Sequence, residues 1–276
     1  MMKNILLTGS GGFIGNHLKS YLQHCHLFTP RSAELNLLDE KAVRQYLTEH
    51  KIDFIIHSAS CGVRIRPDAT LEEVATPNIA MFNHLAQSQI PMITFGSGAE
   101  YDKRQSLHLV SEEDFDKSIP QDPYGYSKYL ISKQIEKLDH VLNLRLFGIY
   151  GIGEDPSRVT HYILQQISKK EPIRLRQNVV FDFLYIDDFC RIVTHFTQHF
   201  PTEKFINAVP TESIATVDLA KKALKELHVD LPVFTEQEGF NKEYTASNRR
   251  LLNYLPDFKF TSYTQGMTEY YKQLFG

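Results

Sequence analysis

The sequence predicts an α/β protein: a doubly wound parallel sheet with helices on both faces, and a smaller, mostly helical lobe toward the C-terminal end. Three observations carry this expectation. Strand-sized apolar runs alternate with helical spacing through the first two-thirds of the 276 residues, the pattern of successive β-α-β units. The first run opens directly into a glycine-rich turn and then a helical pattern. After Gly151 the alternation loosens, and from Pro210 the chain reads as two or three helices with loops.

Taken in order, Ile5-Leu6-Leu7 is a buried strand and Phe13 to Leu22 follows with helical spacing. Leu27-Phe28 is the second strand, with a helix from Asp39 to Glu49. Asp53 to His57 is the third, with a helix from Thr70 to Gln89. Pro91 to Phe95 is the fourth, and a helix from Pro123 to Leu138 leads into Val141 to Phe147. Runs apolar on both faces suit strands covered on both sides. Beyond Gly151, a helix over Arg158 to Lys169 precedes the run Val179 to Ile186. A helix over Asp187 to Gln198 and a short strand at Phe205-Ile206 follow.

Composition narrows the function classes. Hydrophobic residues at 42% and charged residues at 23% describe an ordinary globular chain. A net charge of -3 supplies no broad basic field, so no nucleic acid is expected as a partner. The apolar runs fall short of a membrane span, and no membrane partner is expected. Met1-Met2-Lys3-Asn4 runs straight into the first strand, which leaves no room for a signal peptide; the expectation is cytoplasmic. Cys25, Cys61 and Cys190 are scattered without a CxxC pair, which suits buried structural thiols. No His and carboxylate cluster has ligand-like spacing, so no metal is expected.

The turn after the first strand reads Thr8-Gly9-Ser10-Gly11-Gly12-Phe13-Ile14-Gly15. Glycines at 9, 12 and 15, between strand and helix, have the roles of a dinucleotide fingerprint: sharp turn, approach to the pyrophosphate, close helix packing. The helix start at Phe13 and Ile14 then offers unpaired N–H groups to the anion. The second strand ends Leu27-Phe28-Thr29-Pro30-Arg31, with no carboxylate before Arg31. A guanidinium there suits the 2′-phosphate of NADP and disfavours NAD; the alternative is an arginine that only solvates a turn. Asp39 fits an N-cap.

Pro123-Tyr124-Gly125-Tyr126-Ser127-Lys128 sets a Tyr and a Lys four apart, on one face of a helix. A phenol with a pKa of about 10 is a poor acid-base group at neutral pH. A neighbouring ammonium brings it toward the useful range. Tyr126 is only two residues from Lys128 and points elsewhere.

With TGxxGFIG opening the chain and YxxxK following, the sequence resembles the extended short-chain dehydrogenases of the NAD-dependent epimerase/dehydratase family. Arg31 with Glu34-Leu35-Asn36-Leu37-Leu38-Asp39 resembles the GDP-fucose synthases, an NADPH-using branch of nucleotide-sugar 4-keto reductases. The resemblance implies a Rossmann-type cofactor domain over 1–150 and about 179–208. It leaves a substrate lobe over about 151–178 and 209–276. It places Asp39 near the adenine, and Ser58 and Ala59 of His57-Ser58-Ala59-Ser60 beside the cofactor. Tyr124 and Lys128 become catalytic and cofactor-binding. Aligning Tyr101 of Ser97-Gly98-Ala99-Glu100-Tyr101 with the family's terminal Tyr makes Ser97 the third catalytic member, with Gly98 beside the substrate. Leu144 to Gly151 resembles LRxxNxYG with Gly148 for the Asn, and Phe181 to Asp188 resembles RDxxYVDD with Phe181 for the Arg. That Arg often binds the substrate diphosphate; Arg158, Arg174 and Arg176 are the candidates to replace it.

Dehydratases carry an Asp-Glu pair where Gly98-Ala99 stands, and GDP-fucose synthases a Cys at Ala99. A hydrogen or a methyl group moves no proton. The resemblance therefore implies NADPH-dependent reduction of a nucleotide-linked 4-keto-6-deoxyhexose. An NAD(P)-dependent 4-epimerase, or a silent NADP-sensing or scaffold protein, are the alternatives. A homodimer is implied by the family.

Overall fold

The computed structural model describes residues 2–61 and 70–276, and the chain divides into two compact units. The first comprises Met1–Arg104, Glu112–Leu146 and Cys190–Asn207; the second comprises Gln105–Ser111, Phe147–Phe189 and Ala208–Gly276.

The first unit begins with β1 (Asn4–Thr8), α1 (Phe13–Tyr21), β2 (His26–Phe28), α2 (Glu40–Glu49) and β3 (Phe54–His57). α3 (Leu71–Ala86) and β4 (Met92–Ser97) follow, and a 3-10 turn over Gly98–Tyr101 closes β4. The chain then gives β5 (Leu107–Val110) to the second unit and returns for α4 (Pro123–Ile135) and β6 (Val141–Leu146). Helix starts follow local chemistry. Asp39 caps α2 through the Ala42 N–H, Thr70 and Glu73 form a capping box on α3, and Asp122 with Pro123 starts α4.

With β11 (Phe205–Ala208), the sheet runs β11-β6-β4-β3-β1-β2. Its pairs from β2 to β6 are parallel. The chain steps from β1 out to β2, then returns to β1's other side as β3. The strand order therefore reverses there, the topological switch point at which ligands bind beyond the carboxyl ends. Ile5, Leu6, Leu7, Ile55, Ile56, Met92, Ile93, Val141 and Leu142 are at most 1% exposed, so these central strands are apolar on both faces, as expected of covered parallel strands.

The second unit continues with β7 (Gly148–Tyr150), α5 (Val159–Lys169), β8 (Ile173–Leu175), β9 (Val180–Phe181) and β10 (Phe183–Tyr185). α6 (Ile186–Gln198) carries the chain back into the first unit. After β11 come β12 (Ile214–Ala215), α7 (Thr216–Glu226), β13 (Val233–Thr235), β14 (Tyr244–Ala246), α8 (Arg249–Tyr254) and α9 (Tyr263–Phe275). Alongside the helices it holds three small sheets: β10-β7, β12-β9-β14-β5 and β13-β8. The unit boundaries differ in three places from those the resemblance implies. Residues 147–150 and 179–189 lie in the second unit because β7 pairs β10 and β9 pairs β12 and β14. Residues 105–111 join them because β5 pairs β14. No helix among the described residues is long and apolar enough to cross a membrane. Cys190 is buried, and Cys25 and Cys61 are half-buried.

Candidate active site

At the switch point the glycine turn is tight against its surroundings. Gly9 has φ +67°, and a Cβ there would meet the Ser58 carbonyl carbon and the Ala59 nitrogen at 2.6 Å. A Cβ on Gly15 would lie 2.3 Å from the Gly9 oxygen, which only glycine tolerates. Gly12 donates its N–H to the Gly9 oxygen at 3.0 Å and caps α1 without any side-chain bond. Nothing acidic stands in the first turn of α1, so its N–H groups at Phe13 and Ile14 remain available to an anion. A dinucleotide phosphate fits this cradle: Gly9, Gly12 and Gly15 give it room, and Ser58 and Ala59 border it. Thr8 Oγ1 pairs with His57 Nδ1 at 2.9 Å, and burial with the Lys128 charge pushes His57 down to about 3, so the ring stays neutral. Arg31 is exposed and its guanidinium makes no ion pair or hydrogen bond among the described residues. Its backbone N–H donates to the Glu34 carboxylate at 2.7 Å. Asp39 is exposed at its cap, with its carboxylate turned to the Ala42 N–H.

Ser97 ends β4 at 8% exposure, and its Oγ accepts the Ala99 N–H at 3.1 Å. Gly98 and Ala99 continue as a buried 3-10 turn. Gly125 brings the start of α4 onto that turn: a Cβ there would lie 2.9 Å from the Ala99 oxygen and 2.7 Å from Asp122 Oδ2. Tyr124 and Lys128 then follow on one helix, with the ammonium 6.0 Å from the Tyr124 ring centroid. Lys128 Nζ donates to the Phe95 carbonyl at 2.7 Å, which ties it to β4. Burial lowers its pKa, and the Glu100 carboxylate works against that shift. Ser97, Tyr124 and Lys128 thus lie on adjoining elements of one unit. Tyr126 stacks on Tyr129 instead.

Glu100 takes a different course from that of an extended strand, because the turn rotates its side chain inward. It is fully buried, and Arg145 Nε donates to its Oε2 at 2.7 Å.

In the second unit, Arg158, Arg174 and Arg176 line one cavity of about 500 Å³, with Tyr162, Gln177 and Phe181. All three arginines are exposed, and no ion pair neutralises them among the described residues. Arg174 lies over the Phe234 ring at 5.0 Å. Glu154 also lines this cavity at 6% exposure; burial pushes it up to about 7 despite the Thr160 hydroxyl it accepts.

Residues 5–208 match the NAD dependent epimerase/dehydratase family. The chain belongs to that family. A GDP-L-colitose synthase of Yersinia pseudotuberculosis is 44% identical over 57 residues, which span 20% of this chain and 18% of the relative. A UDP-glucose 4-epimerase of Neisseria meningitidis is 28% identical over 227 residues, with 65% of each chain covered. The chain thus spans under two-thirds of the length of these two relatives. Among solved structures, a GDP-L-fucose synthetase from Naegleria fowleri bound to NADP matches with TM-score 0.79, 16% identity and 98% and 92% coverage. A dTDP-glucose 4,6-dehydratase from Bacillus anthracis in complex with NAD matches with TM-score 0.78, 15% identity and 99% and 96% coverage. At these identities the likeness is one of fold.

Against the family pattern, the two departures at 148 and 181 are one event in space. The Phe181 ring lies over Gly148, where a Cβ would come within 2.6 Å of Phe181 Cε1. The ring stacks on Phe183 at 4.7 Å and leans on Tyr244 at 4.8 Å. An asparagine at 148 has no room beside this phenylalanine. Two further site neighbours escape a motif reading. Asn78 of α3 clamps the segment after β3, accepting the Cys61 N–H at 2.8 Å and donating to its carbonyl at 2.9 Å. Gly125 sits inside the Tyr-Lys motif, where its spacing carries no signal of the close approach it permits.

Proposed function

We propose that this family member is an NADPH-dependent reductase of the 4-keto group of a nucleotide-linked 4-keto-6-deoxyhexose. One observation carries the reading. Beside Ser97, Tyr124 and Lys128 the turn offers only a hydrogen and a methyl group at 98 and 99, and its one carboxylate, Glu100, is buried against Arg145. Elimination of water or epimerisation beside the carbonyl needs an additional acid or base; a simple reduction does not.

The nicotinamide, when bound, supplies the hydride. Ser97 holds the substrate oxygen by its hydroxyl and orients the carbonyl. Tyr124 donates the proton to that oxygen, and Lys128, held by the Phe95 carbonyl, keeps positive charge beside the resulting phenolate. Gly9, Gly12, Phe13, Ile14 and Gly15 hold the pyrophosphate, with Ser58 and Ala59 beside it. Arg31 takes the 2′-phosphate and favours NADP, and Asp39 lies toward the adenine. Gly98 borders the sugar, and the arginine-lined cavity of the second unit serves the substrate's diphosphate. The 4-epimerase reading is favoured by the likeness to the Neisseria enzyme.

The test is cofactor consumption with a panel of nucleotide-linked 4-keto-6-deoxyhexoses, with NADPH and NADH run in parallel. Substrate-dependent loss of NADPH is expected. Interconversion of hexose epimers with no added cofactor would replace the reading with the epimerase.

A further inference from the structure

The buried carboxylate behind the Ser97 turn has no part in the chemistry proposed above, yet it touches both elements that carry Ser97, Tyr124 and Lys128. Glu100 Oε1 accepts the backbone N–H of Ser97 at 2.9 Å. Its Oε2 accepts the hydroxyl of Ser132 at 2.6 Å, and Ser132 stands one helical turn beyond Lys128 on α4. Arg145 of β6 donates Nε to the same oxygen at 2.7 Å, and Asn143 of β6 donates to Ser132 at 2.8 Å. Both members of the ion pair are fully buried.

The surroundings are shaped for this pair. Gly96 has no Cβ because one would lie 2.3 Å from Glu100 Oε1 and 2.5 Å from Asn143 Oδ1. Arg145 is caged by the Phe115 and Phe205 rings, each 4.5 Å from its guanidinium carbon. Its Nη1 donates to the Tyr101 hydroxyl, which donates onward to Asn207 Oδ1. Two fully desolvated charges cost more than they return unless the geometry is good and the remaining polar atoms are matched. Here Arg145 Nη2 and Asn143 Oδ1 find no hydrogen-bond partner among the described residues. A pair kept under those terms fits specification of a site better than stabilisation of a core.

We propose that Glu100 is a positioning residue of the site. It fixes Ser97 through the backbone, seats α4 through Ser132, and holds the Lys128 ammonium through its own charge. The charged and titratable groups facing Lys128 among the described residues are Glu100 beyond β4, neutral His57 of β3 and Tyr124 on its own helix. Of these Glu100 is the anion. Without it the ammonium keeps its burial and loses its compensating charge, so Lys128 releases its proton at lower pH.

The inference rests on the reading of Ser97, Tyr124 and Lys128 as the reacting set, and its test needs no substrate. The full chain is labelled with [13C,15N]lysine, and Lys128 is titrated by NMR, its resonance assigned as the one missing in Lys128→Arg. In Glu100→Gln the Lys128 midpoint is expected to fall by about one pH unit. An unchanged midpoint overturns the proposal. If Arg145, left without its partner, prevents folding, the double variant Glu100→Gln with Arg145→Met removes both charges. A smaller fall is then expected, because the Arg145 cation that opposes Glu100 is gone as well, and an unchanged midpoint is again decisive. Full activity in Tyr124→Phe would end the catalytic reading while leaving this titration to stand on its own result.

Discussion

The first unit offers an anion its backbone, and the second offers side chains. At the switch point, Gly9, Gly12 and Gly15 clear space for unpaired N–H groups at the start of α1. In the second unit, Arg158, Arg174 and Arg176 reach one cavity from the start of α5 and from β8 and its end. Backbone donors work only where no Cβ intrudes, so their positions admit glycine alone and leave a mark in the chain. Arginines are long and flexible and can serve from many backbone positions. The first arrangement is rigid and recognisable; the second is free to move along the chain.

Several substitutions would sharpen or break this contrast. The largest expected effect is on the chemistry of the first unit. Tyr124→Phe should lower kcat by roughly 10²- to 10⁴-fold while NADPH still binds, because only proton donation is lost. A variant that keeps its turnover would remove the mechanism.

Next in size is the buried carboxyl of the second unit. Glu154 sits at about 7 in the folded chain against an ordinary 4.5. The folded state therefore holds the proton more tightly. Its contribution to stability is full below pH 4.5 and is lost as pH rises through about 7. Glu154→Gln should flatten that slope and stabilise the protein at pH 8 by about 2–3 kcal/mol. Denaturant unfolding at pH 5 and pH 8 checks it, and a wild-type slope in the variant would contradict the assignment.

The Gly148–Phe181 contact comes third. Gly148→Asn alone should cost about 1–3 kcal/mol by overpacking. Adding Phe181→Arg should return a large part, since the obstructing ring is gone. Additive costs in a double-mutant cycle would show that the two departures are independent.

Smallest is the loss of one arginine. Arg174→Ala or Arg176→Ala should raise the substrate KM by about tenfold with kcat little changed, as expected for loss of one charged hydrogen bond. A fall in kcat at constant KM would place these residues in the chemistry and dissolve the distinction between the units.

Much of the first unit was legible because its signals are short-range. Its strands declare themselves as continuous apolar runs, its helices by their spacing and, for α2, by the cap at Asp39. The glycine turn and the Tyr124–Lys128 spacing each fit within one local element. The second unit resisted because its strands are two to four residues long and pair far along the chain. Leu107 meets Tyr244, and Ile173 meets Val233. Runs of that length carry no period to read.

By itself, then, the sequence determined the alternating α/β order, the phosphate-sized turn and the single helical face carrying Tyr124 and Lys128. Each depends on neighbours within a few residues, where backbone geometry fixes direction. Only the tertiary structure decided that Glu100 turns inward to Arg145 and that Phe181 fills the space above Gly148. It likewise gathered three separated arginines around one cavity. Those outcomes depend on packing and desolvation among residues distant in sequence, and such free energies exist only once the chain has brought the groups together.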